Sequence, residues 1–432
     1  MGDSDEDVIY GYDEEEYGLD VNFNAAECAI GVLQQTSNNL IYLFGAAFLC
    51  LFLRKIPLVF RANAYMIISH FLIYQFSSEF WGIFRFFNMV TFSGIVMVGL
   101  KIRGNIILFT QIAIIMIFQL LLGTEYMLGV RGILMLHAMR VIAVGYELEN
   151  SNGEPCTFSI LEYLYFPPVL VMGPFLTHQQ FVSFQYGQVG GFKQIVKNIS
   201  LATVLLCGSL TALLISSCYL NMLKAPNVWV EDFIVALSFR TSNYFVCYLS
   251  QSVMQFLGTE IVVTEFGEIE WPRSMATIVS YWNIPMHMFL HTYIFSKNVF
   301  STVCCNAFYT FVISSLLHGY DPQISITLLT LGFITFSEAR FRRKLAKRFS
   351  MCVKAKECYE DCQHTNNGLI SSLINFTFRI LSLYHLIFTG MPFVDEYAST
   401  GYPWEHTYES YENHNFASLY ISLALLLFSF LL

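Results

Sequence analysis

Charged residues are scarce in this sequence. Asp, Glu, Lys and Arg make up 13% of its 432 residues, whereas a soluble domain carries about 25%. Hydrophobic residues make up 55%, and the mean hydropathy is +0.52. This balance excludes a soluble globular enzyme, a disordered chain and a nucleic-acid-binding protein. Since helices satisfy their own backbone groups in lipid, it predicts a polytopic helical membrane protein.

Three signatures of common enzyme chemistry are also missing. The sequence has no Walker loop, no Gly-x-Ser-x-Gly elbow and no His-Glu-x-x-His motif. The sequence therefore lacks the strongest signals for phosphate transfer, serine hydrolysis and zinc proteolysis. Candidate catalytic groups are polar residues inside apolar segments.

The formal net charge of -9 comes from one end of the chain. Residues 1–20 contain nine acidic residues and no Lys or Arg, and the remaining chain carries 23 acidic and 23 basic residues. Such a run is usually solvated and disordered. Residues 1–27 are therefore predicted to be an acidic tail, and residues 28–432 a single transmembrane domain. Without an apolar core or a basic start, the tail is not predicted to be a signal peptide.

Windows without charge predict the membrane spans, because a bilayer core needs roughly 20 apolar residues per helix. The long windows are 28–53, 104–124, 198–223, 241–259, 274–296, 298–320 and 413–432, and the shorter ones are 62–78, 86–100, 322–337 and 380–394. Proline clusters at 166–168 and 173–174 favour a broken or re-entrant element. The prediction is an all-α polytopic bundle of about eleven transmembrane helices with re-entrant elements.

Two loops of opposite charge indicate the orientation in the membrane. Residues 340–356 carry eight Lys and Arg residues, and residues 391–412 carry five acidic residues and no Lys or Arg. The positive-inside rule places the basic loop in the cytosol. The acidic loop follows one span later, so it is expected to face the lumen or the exterior.

The 11 cysteines predict no disulfide framework. Most lie in apolar runs and are interpreted as small buried residues: Cys50, Cys207, Cys218, Cys247, Cys304 and Cys305. A separate group, Cys352, Cys358, Cys362 and His364, could bind zinc, but its Cys-x5-Cys-x3-Cys spacing is uncommon in zinc sites. Cytosolic thiols there would stay reduced and open to acylation, whereas disulfides would contradict the orientation. No metal is predicted.

His318 is the candidate catalytic base. It lies at the end of the charge-free run 298–320, in Leu-Leu-His-Gly-Tyr-Asp. An ionisable group at membrane depth is costly, which points to a function, and a neutral imidazole can accept a proton from a hydroxyl at cellular pH. The alternative is a core histidine bonded to a carbonyl of a neighbouring helix.

Asn283 is the second candidate, at the start of an apolar segment. It precedes Ile284 and Pro285, and an Asn cap followed by Pro in the first turn is typical of a helix N-terminus. The functional interpretation is a carboxamide that polarises or orients a carbonyl beside a histidine base. The residues alone leave both interpretations open.

An Asn upstream of a His in an apolar helix, about a helix pair apart, resembles the membrane-bound O-acyltransferase superfamily. The closer similarity is to its members that acylate a serine of Wnt-type secreted proteins. It is carried over residues 120–395 by Arg-Gly (131–132), Tyr-Leu-Tyr-Phe (163–166), Gly-Pro (173–174), Ser-Asn-Tyr-Phe-Val (242–246), Trp-Pro-Arg-Ser-Met (271–275), Trp-Asn-Ile-Pro-Met (282–286), Tyr-Ile-Phe (293–295), Leu-Leu-His-Gly (316–319), Phe-Ile-Thr-Phe (333–336), Arg-Arg-Lys-Leu-Ala-Lys-Arg (342–348) and the spacing of Cys352, Cys358 and Cys362.

The resemblance implies a role for individual residues. His318 would be the general base, and Asn283 would orient or polarise the thioester. Substrate-binding residues would be Trp282, Pro285, Tyr293, Ser242, Asn243, Tyr244 and Arg273. The resemblance also implies a central reaction tunnel in the endoplasmic reticulum membrane, palmitoleoyl-CoA as donor substrate, a Wnt-type secreted protein as acceptor, and no tightly bound cofactor.

Two other functions remain as alternatives. A lysophospholipid or other lipid O-acyltransferase would share Asn283 and His318 and differ in the acceptor. A proton- or ion-coupled transporter would use His318, Arg131 and Arg140 as a path through the membrane. The sequence shows neither the internal repeat nor the cluster of intramembrane acids that would favour transport.

Overall fold

The computed structural model describes residues 24–77, 80–149, 156–187, 190–358, 362, 364, 368–398 and 400–432. Residues 1–23 of the predicted acidic tail lie outside these ranges, and the described end of the tail already enters the first helix at Ala25. The helices in chain order are α1 Ala25–Leu53, α2 Leu58–Phe76, α3 Phe80–Gly99, α4 Gly104–Leu122, α5 Thr124–Glu149, α6 Thr157–Leu164, α7 His178–Tyr186, α8 Phe192–Leu214, α9 Val228–Phe256, α10 Phe266–Glu270, α11 Met275–Trp282, α12 Ile284–Tyr293, α13 Val303–Leu317, α14 Pro322–Phe349, α15 Leu369–Gly390, α16 Trp404–Asn413 and α17 Ala417–Leu431.

The all-α membrane class is confirmed. Within the described ranges, seven helices are long and apolar enough to cross a bilayer, and the α16–α17 pair, bent by 72°, would make an eighth. This is fewer than the eleven spans predicted. The charge-free window 274–296 holds two short helices, of 8 and 10 residues, and the window 298–320 holds one of 15 residues. In these two windows, the lack of charged residues indicates an apolar environment but does not indicate a helix long enough to cross the bilayer.

The two proline clusters interrupt the helical structure, as predicted. After α6 the chain forms a short 3-10 turn at Pro167–Val169 and then runs without helix to Thr177. Arg140 of α5 is fully buried and donates to the carbonyl oxygens of Leu164 at 3.0 Å and Val169 at 2.5 Å. Non-helical backbone at membrane depth needs such partners, so Arg140 stabilises the broken element and does not supply an open ion path.

One disulfide joins α1 to the end of the α8 segment. It links Cys28 to Cys218, which lies in a π-helical turn at Ile215–Tyr219. The interpretation of Cys218 as only a small buried apolar residue is therefore wrong, because its partner is 190 positions away and local spacing does not show such a pair. A persistent disulfide indicates the oxidising side of a membrane.

The disulfide and the basic loop lie at opposite ends of α14. Ser216 and Ser217, next to Cys218, line one cavity with Asp321, which precedes α14, and Asp395 of the acidic loop. The basic residues lie at the other end of this 28-residue helix, about 42 Å away at 1.5 Å per residue. The disulfide thus supports the orientation that the two charged loops predicted from the positive-inside rule.

Two hydrophobic cores meet where the chain breaks between α11 and α12. The larger core is built mainly from α1 to α7 and includes Phe289 and Tyr293 of α12 and Leu317 of α13. The smaller core contains Met275 and Ile278 of α11, together with residues of α8, α9, α14 and α15. The segment around Asn283 therefore crosses from one core to the other.

Candidate functional site

His318 ends α13 and is half-buried. Its backbone N–H donates to Ser315 O at 3.0 Å, and no hydrogen bond of its imidazole is found within the described ranges. The alternative of a core histidine tied to a helix carbonyl therefore has no such bond to support it. The charged residue nearest to His318 along the chain is Asp321, three positions further on.

The turn after His318 is held by a residue that the sequence did not point to. Gln119 of α4 accepts the backbone N–H of Tyr320 through Oε1 at 2.5 Å and donates from Nε2 to Tyr320 O at 2.6 Å. Gly319 has a φ of +82°, and a Cβ added there would lie 2.5 Å from Gln119 Oε1. Glycine is thus required by both the backbone conformation and the close approach.

Asp321 completes the turn and starts the next helix. Its Oδ1 accepts the N–H of Ile324 at 3.0 Å and caps α14, and its Oδ2 forms an ion pair with Arg131 of α5 at 2.9 Å. Both side chains of the pair are largely buried. The turn that carries His318 is consequently fixed to α4 and α5.

Substituting Gly319 tests whether this turn positions His318. We expect Gly319→Ala to lower activity by roughly 100-fold, because a shift of about 1 Å in a reacting group can have that effect. A left-handed conformation also costs a non-glycine residue about 1–2 kcal/mol. The measurement is the acyl-transfer rate of purified protein, with thermal unfolding recorded in parallel.

The matched control is Gly129→Ala in α5, where an added Cβ meets nothing within 4 Å. It should retain wild-type activity. A Gly319→Ala enzyme with unchanged activity would show that the conformation of this turn does not matter for the reaction.

Asn283 occupies the break between α11 and α12. Its Oδ1 accepts the N–H of Met286 at 3.1 Å, so it caps α12, and the buried Pro285 lies in the first turn. The N–H of Ile284 donates to Val263 O at 2.8 Å. The amide Nδ2 of Asn283 has no hydrogen-bond partner in the described part of the chain. One atom of the carboxamide thus caps the helix, which is one of the two interpretations that the sequence left open, while the donor Nδ2 stays available.

A cavity of about 360 Å³ opens near these two segments, at the acidic-loop end of α14. It is lined by Leu128, Arg131, Ser216, Ser217, Ser238, Phe239, Ser242, Asp321, Ile324, Phe393, Asp395, Ala398 and Tyr402. Burial and the carboxylates of Asp395 and Asp321 raise the pKa of Tyr402 to about 12, so its phenol stays protonated. The lining combines hydroxyls, one ion pair and aromatic rings. The cavity therefore offers a ligand both polar and apolar contacts.

Aromatic stacking connects the cavity to the Asn283 segment. Trp282 stacks on Phe239 with ring centroids 5.9 Å apart, and Phe239 stacks on Phe393 at 4.0 Å. Both phenylalanines line the cavity. Asp321, three residues after His318, lines it as well, whereas His318, Trp282 and Asn283 are not among its lining residues.

No protein-family model matches the chain. It is 40% identical over 316 residues to the protein-serine O-palmitoleoyltransferase porcupine of Caenorhabditis briggsae, and the match covers 71% of each chain. The chain belongs to the porcupine family. The porcupine of Anopheles gambiae is 32% identical over 61% of each chain. Human porcupine is 27% identical over 73% of this chain and 78% of its own. Family membership confirms the predicted resemblance and the O-acyltransferase class.

In this porcupine-family chain, the predicted substrate-binding residues fall into separate places. Ser242 is exposed in α9 and lines the cavity, and Trp282 reaches it through Phe239. Asn243, the next residue, is half-buried in α9 and does not line the cavity. The substrate roles of these residues stay predictions.

Three other predicted residues make contacts within the protein. Tyr244 donates to Glu270 Oε1 at 2.8 Å. Tyr293 is 4% exposed and donates to Glu147 Oε1 at 2.5 Å. Arg273 donates to the carbonyl oxygens of Cys352 and Lys354, each at 3.1 Å. The cavity does not include these three, and their substrate roles also stay predictions.

Proposed function

We propose that this chain transfers a palmitoleoyl group from palmitoleoyl-CoA to a serine hydroxyl of a Wnt-type secreted protein, in the endoplasmic reticulum membrane. The observation that carries the proposal is the kinship with curated palmitoleoyltransferases, at 40% identity over 71% of the chain in the example from Caenorhabditis briggsae. The availability of His318 and of the Asn283 donor supports it.

The charge distribution suits two substrates that approach from opposite sides. The anionic coenzyme would approach the basic loop 340–356, which the positive-inside rule places in the cytosol. The secreted acceptor would enter at the cavity beside the acidic loop 391–412, on the side of the Cys28–Cys218 disulfide. Binding both substrates in one geometry supplies a large part of the rate enhancement.

In the proposed reaction, the neutral imidazole of His318 accepts the proton of the serine hydroxyl as the serine oxygen attacks the thioester carbonyl. The carbonyl oxygen becomes an oxyanion, to which Nδ2 of Asn283 donates a hydrogen bond. Collapse of the tetrahedral intermediate breaks the C–S bond, and the proton on His318 passes to the departing thiolate of coenzyme A. The products are an oxyester and the free thiol, with no covalent acyl-enzyme.

Half-buried apolar side chains beside the two segments supply a surface for the acyl chain. Met286 and Leu290 of α12 and Tyr309 and Leu316 of α13 pack against the larger core without being fully covered. Each methylene buried contributes about 0.8 kcal/mol, so a long acyl chain gains substantial binding energy from such a surface.

The decisive experiment uses purified full-length protein, labelled palmitoleoyl-CoA and a Wnt-derived peptide with one acceptor serine. The expected product is a labelled peptide that resists neutral hydroxylamine, because the bond is an oxyester and not a thioester. The same peptide with alanine in place of serine should stay unlabelled. Label on added lysophospholipid, with none on the peptide, would instead identify a lipid acyltransferase and refute the proposal.

A further inference from the structure

Three cysteines and one histidine converge after the end of α14, although their spacing along the chain is irregular. The ligand atoms of Cys352, Cys358, Cys362 and His364 all lie within 4.8 Å of one another. Nδ1 of His364 is 3.4 Å from Sγ of Cys358 and 3.0 Å from Sγ of Cys362. Four soft or borderline donors thus lie close enough together to share one ion.

We propose that Cys352, Cys358, Cys362 and His364 bind one structural zinc ion. A tetrahedral ion with Zn–S distances of about 2.3 Å and a Zn–N distance of about 2.0 Å needs donors roughly 3.5 to 3.8 Å apart. The observed separations bracket that range. Thiolate and imidazole donors select zinc over magnesium or calcium. Four protein ligands leave no open position, which is typical of a structural and not a catalytic site.

The location favours zinc over disulfide formation. The cluster lies at the basic end of α14, and the Cys28–Cys218 disulfide lies at the opposite end. If the disulfide marks the oxidising side, the cluster faces the reducing cytosol, where thiols persist and are more often metal-binding than paired.

The segment that carries the first ligand, Cys352, is hydrogen-bonded through its backbone oxygens to side chains of α14 and α15. Arg342 of α14 is fully buried and donates to Val353 O at 2.7 Å and Lys354 O at 3.2 Å. Asn375 of α15 donates to Cys352 O at 3.0 Å. A bound ion would therefore cross-link the later ligands, Cys358, Cys362 and His364, to an anchored point.

The same segment also holds the start of α11, the short helix that ends directly before Asn283. Arg273 donates to Cys352 O at 3.1 Å, and Ser274, the N-cap of α11, donates from Oγ to Ala355 O at 3.1 Å. The zinc ion would thus act as a positioning element for the Asn283 segment. This consequence rests on the proposed function, whereas zinc binding itself does not.

Metal analysis of purified full-length protein tests the zinc site without any activity assay. We expect about one zinc per wild-type chain and a loss of most of it in Cys362→Ser. His364→Cys should retain zinc through four thiolates, and Cys304→Ser, an exposed cysteine outside the cluster, should match wild type. Wild-type protein without zinc, or Cys362→Ser with full zinc, would overturn the proposal.

X-ray absorption on the wild-type protein covers the case in which Cys362→Ser does not fold. A shell of three sulfur atoms at about 2.3 Å and one nitrogen supports the site. Detection of acyl groups or a disulfide on Cys358 or Cys362 by mass spectrometry contradicts it.

Acyl-transfer assays then test the link to Asn283. We expect Cys362→Ser to lose zinc and at least 10-fold in activity, and His364→Cys to keep both. Zinc loss with unchanged activity would overturn the positioning role. An inactive wild-type protein that still holds one zinc would count against the proposed function and leave the metal site standing.

Discussion

Replacing His318 with alanine is expected to abolish measurable acyl transfer while the protein stays folded. A general base contributes about 10²- to 10⁴-fold to a rate, and the proposed reaction has no second group that takes the serine proton. The fold should survive, because within the described ranges the imidazole has no hydrogen-bond partner that its removal would leave unsatisfied. The measurement is label transfer from palmitoleoyl-CoA to the serine peptide by purified enzyme.

The control for His318→Ala is His291→Ala, which removes an exposed imidazole on α12. It should transfer label at the wild-type rate. Thermal unfolding should give similar midpoints for both variants, since the turn after His318 is held by Gln119 and by the Asp321 cap. A His318→Ala enzyme that works as fast as His291→Ala would remove His318 from the mechanism.

Local signals in the sequence predicted much of the architecture. The start of α12 at Asn283 followed from Asn-Ile-Pro, because capping and proline chemistry act within one helical turn. The irregular segment after α6 followed from its prolines. The two charged loops gave an orientation that the Cys28–Cys218 disulfide supports. Each of these inferences depends on residues close together in the chain.

Long-range contacts explain what the sequence did not reveal. Cys28 and Cys218 are 190 positions apart, and Gln119 acts on Tyr320 from a separation of 201 positions. In the sequence, Gln119 is distinguished only as a polar residue in an apolar run, which does not indicate that it holds the turn after His318. Two of the predicted windows, 274–296 and 298–320, hold only helices of 8 to 15 residues, because hydropathy does not distinguish a short helix buried in protein from one that crosses lipid.

A carboxylate in place of Asn283 should separate its two roles. Asp caps a helix as well as Asn does, so Asn283→Asp should keep α12 and the melting temperature close to wild type. It cannot donate a hydrogen bond to the developing oxyanion, and its charge would repel that oxygen. Loss of one such donor costs about 10²- to 10³-fold in kcat, and we expect at least that loss for Asn283→Asp in the peptide acylation assay.

Asn283→Ala provides the comparison, because alanine removes both the cap and the donor. It should lose activity as strongly as Asn283→Asp and also about 0.5–2 kcal/mol of stability. If capping were the only role, the order would differ: Asn283→Asp would remain active, and Asn283→Ala would lose activity only through its weakened helix. The two variants therefore test the donor Nδ2 of Asn283 separately from the acceptor Oδ1. Oδ1 accepts the N–H of Met286 and caps α12. Activity of Asn283→Asp near the wild-type level would leave Asn283 a structural residue of the α11–α12 break.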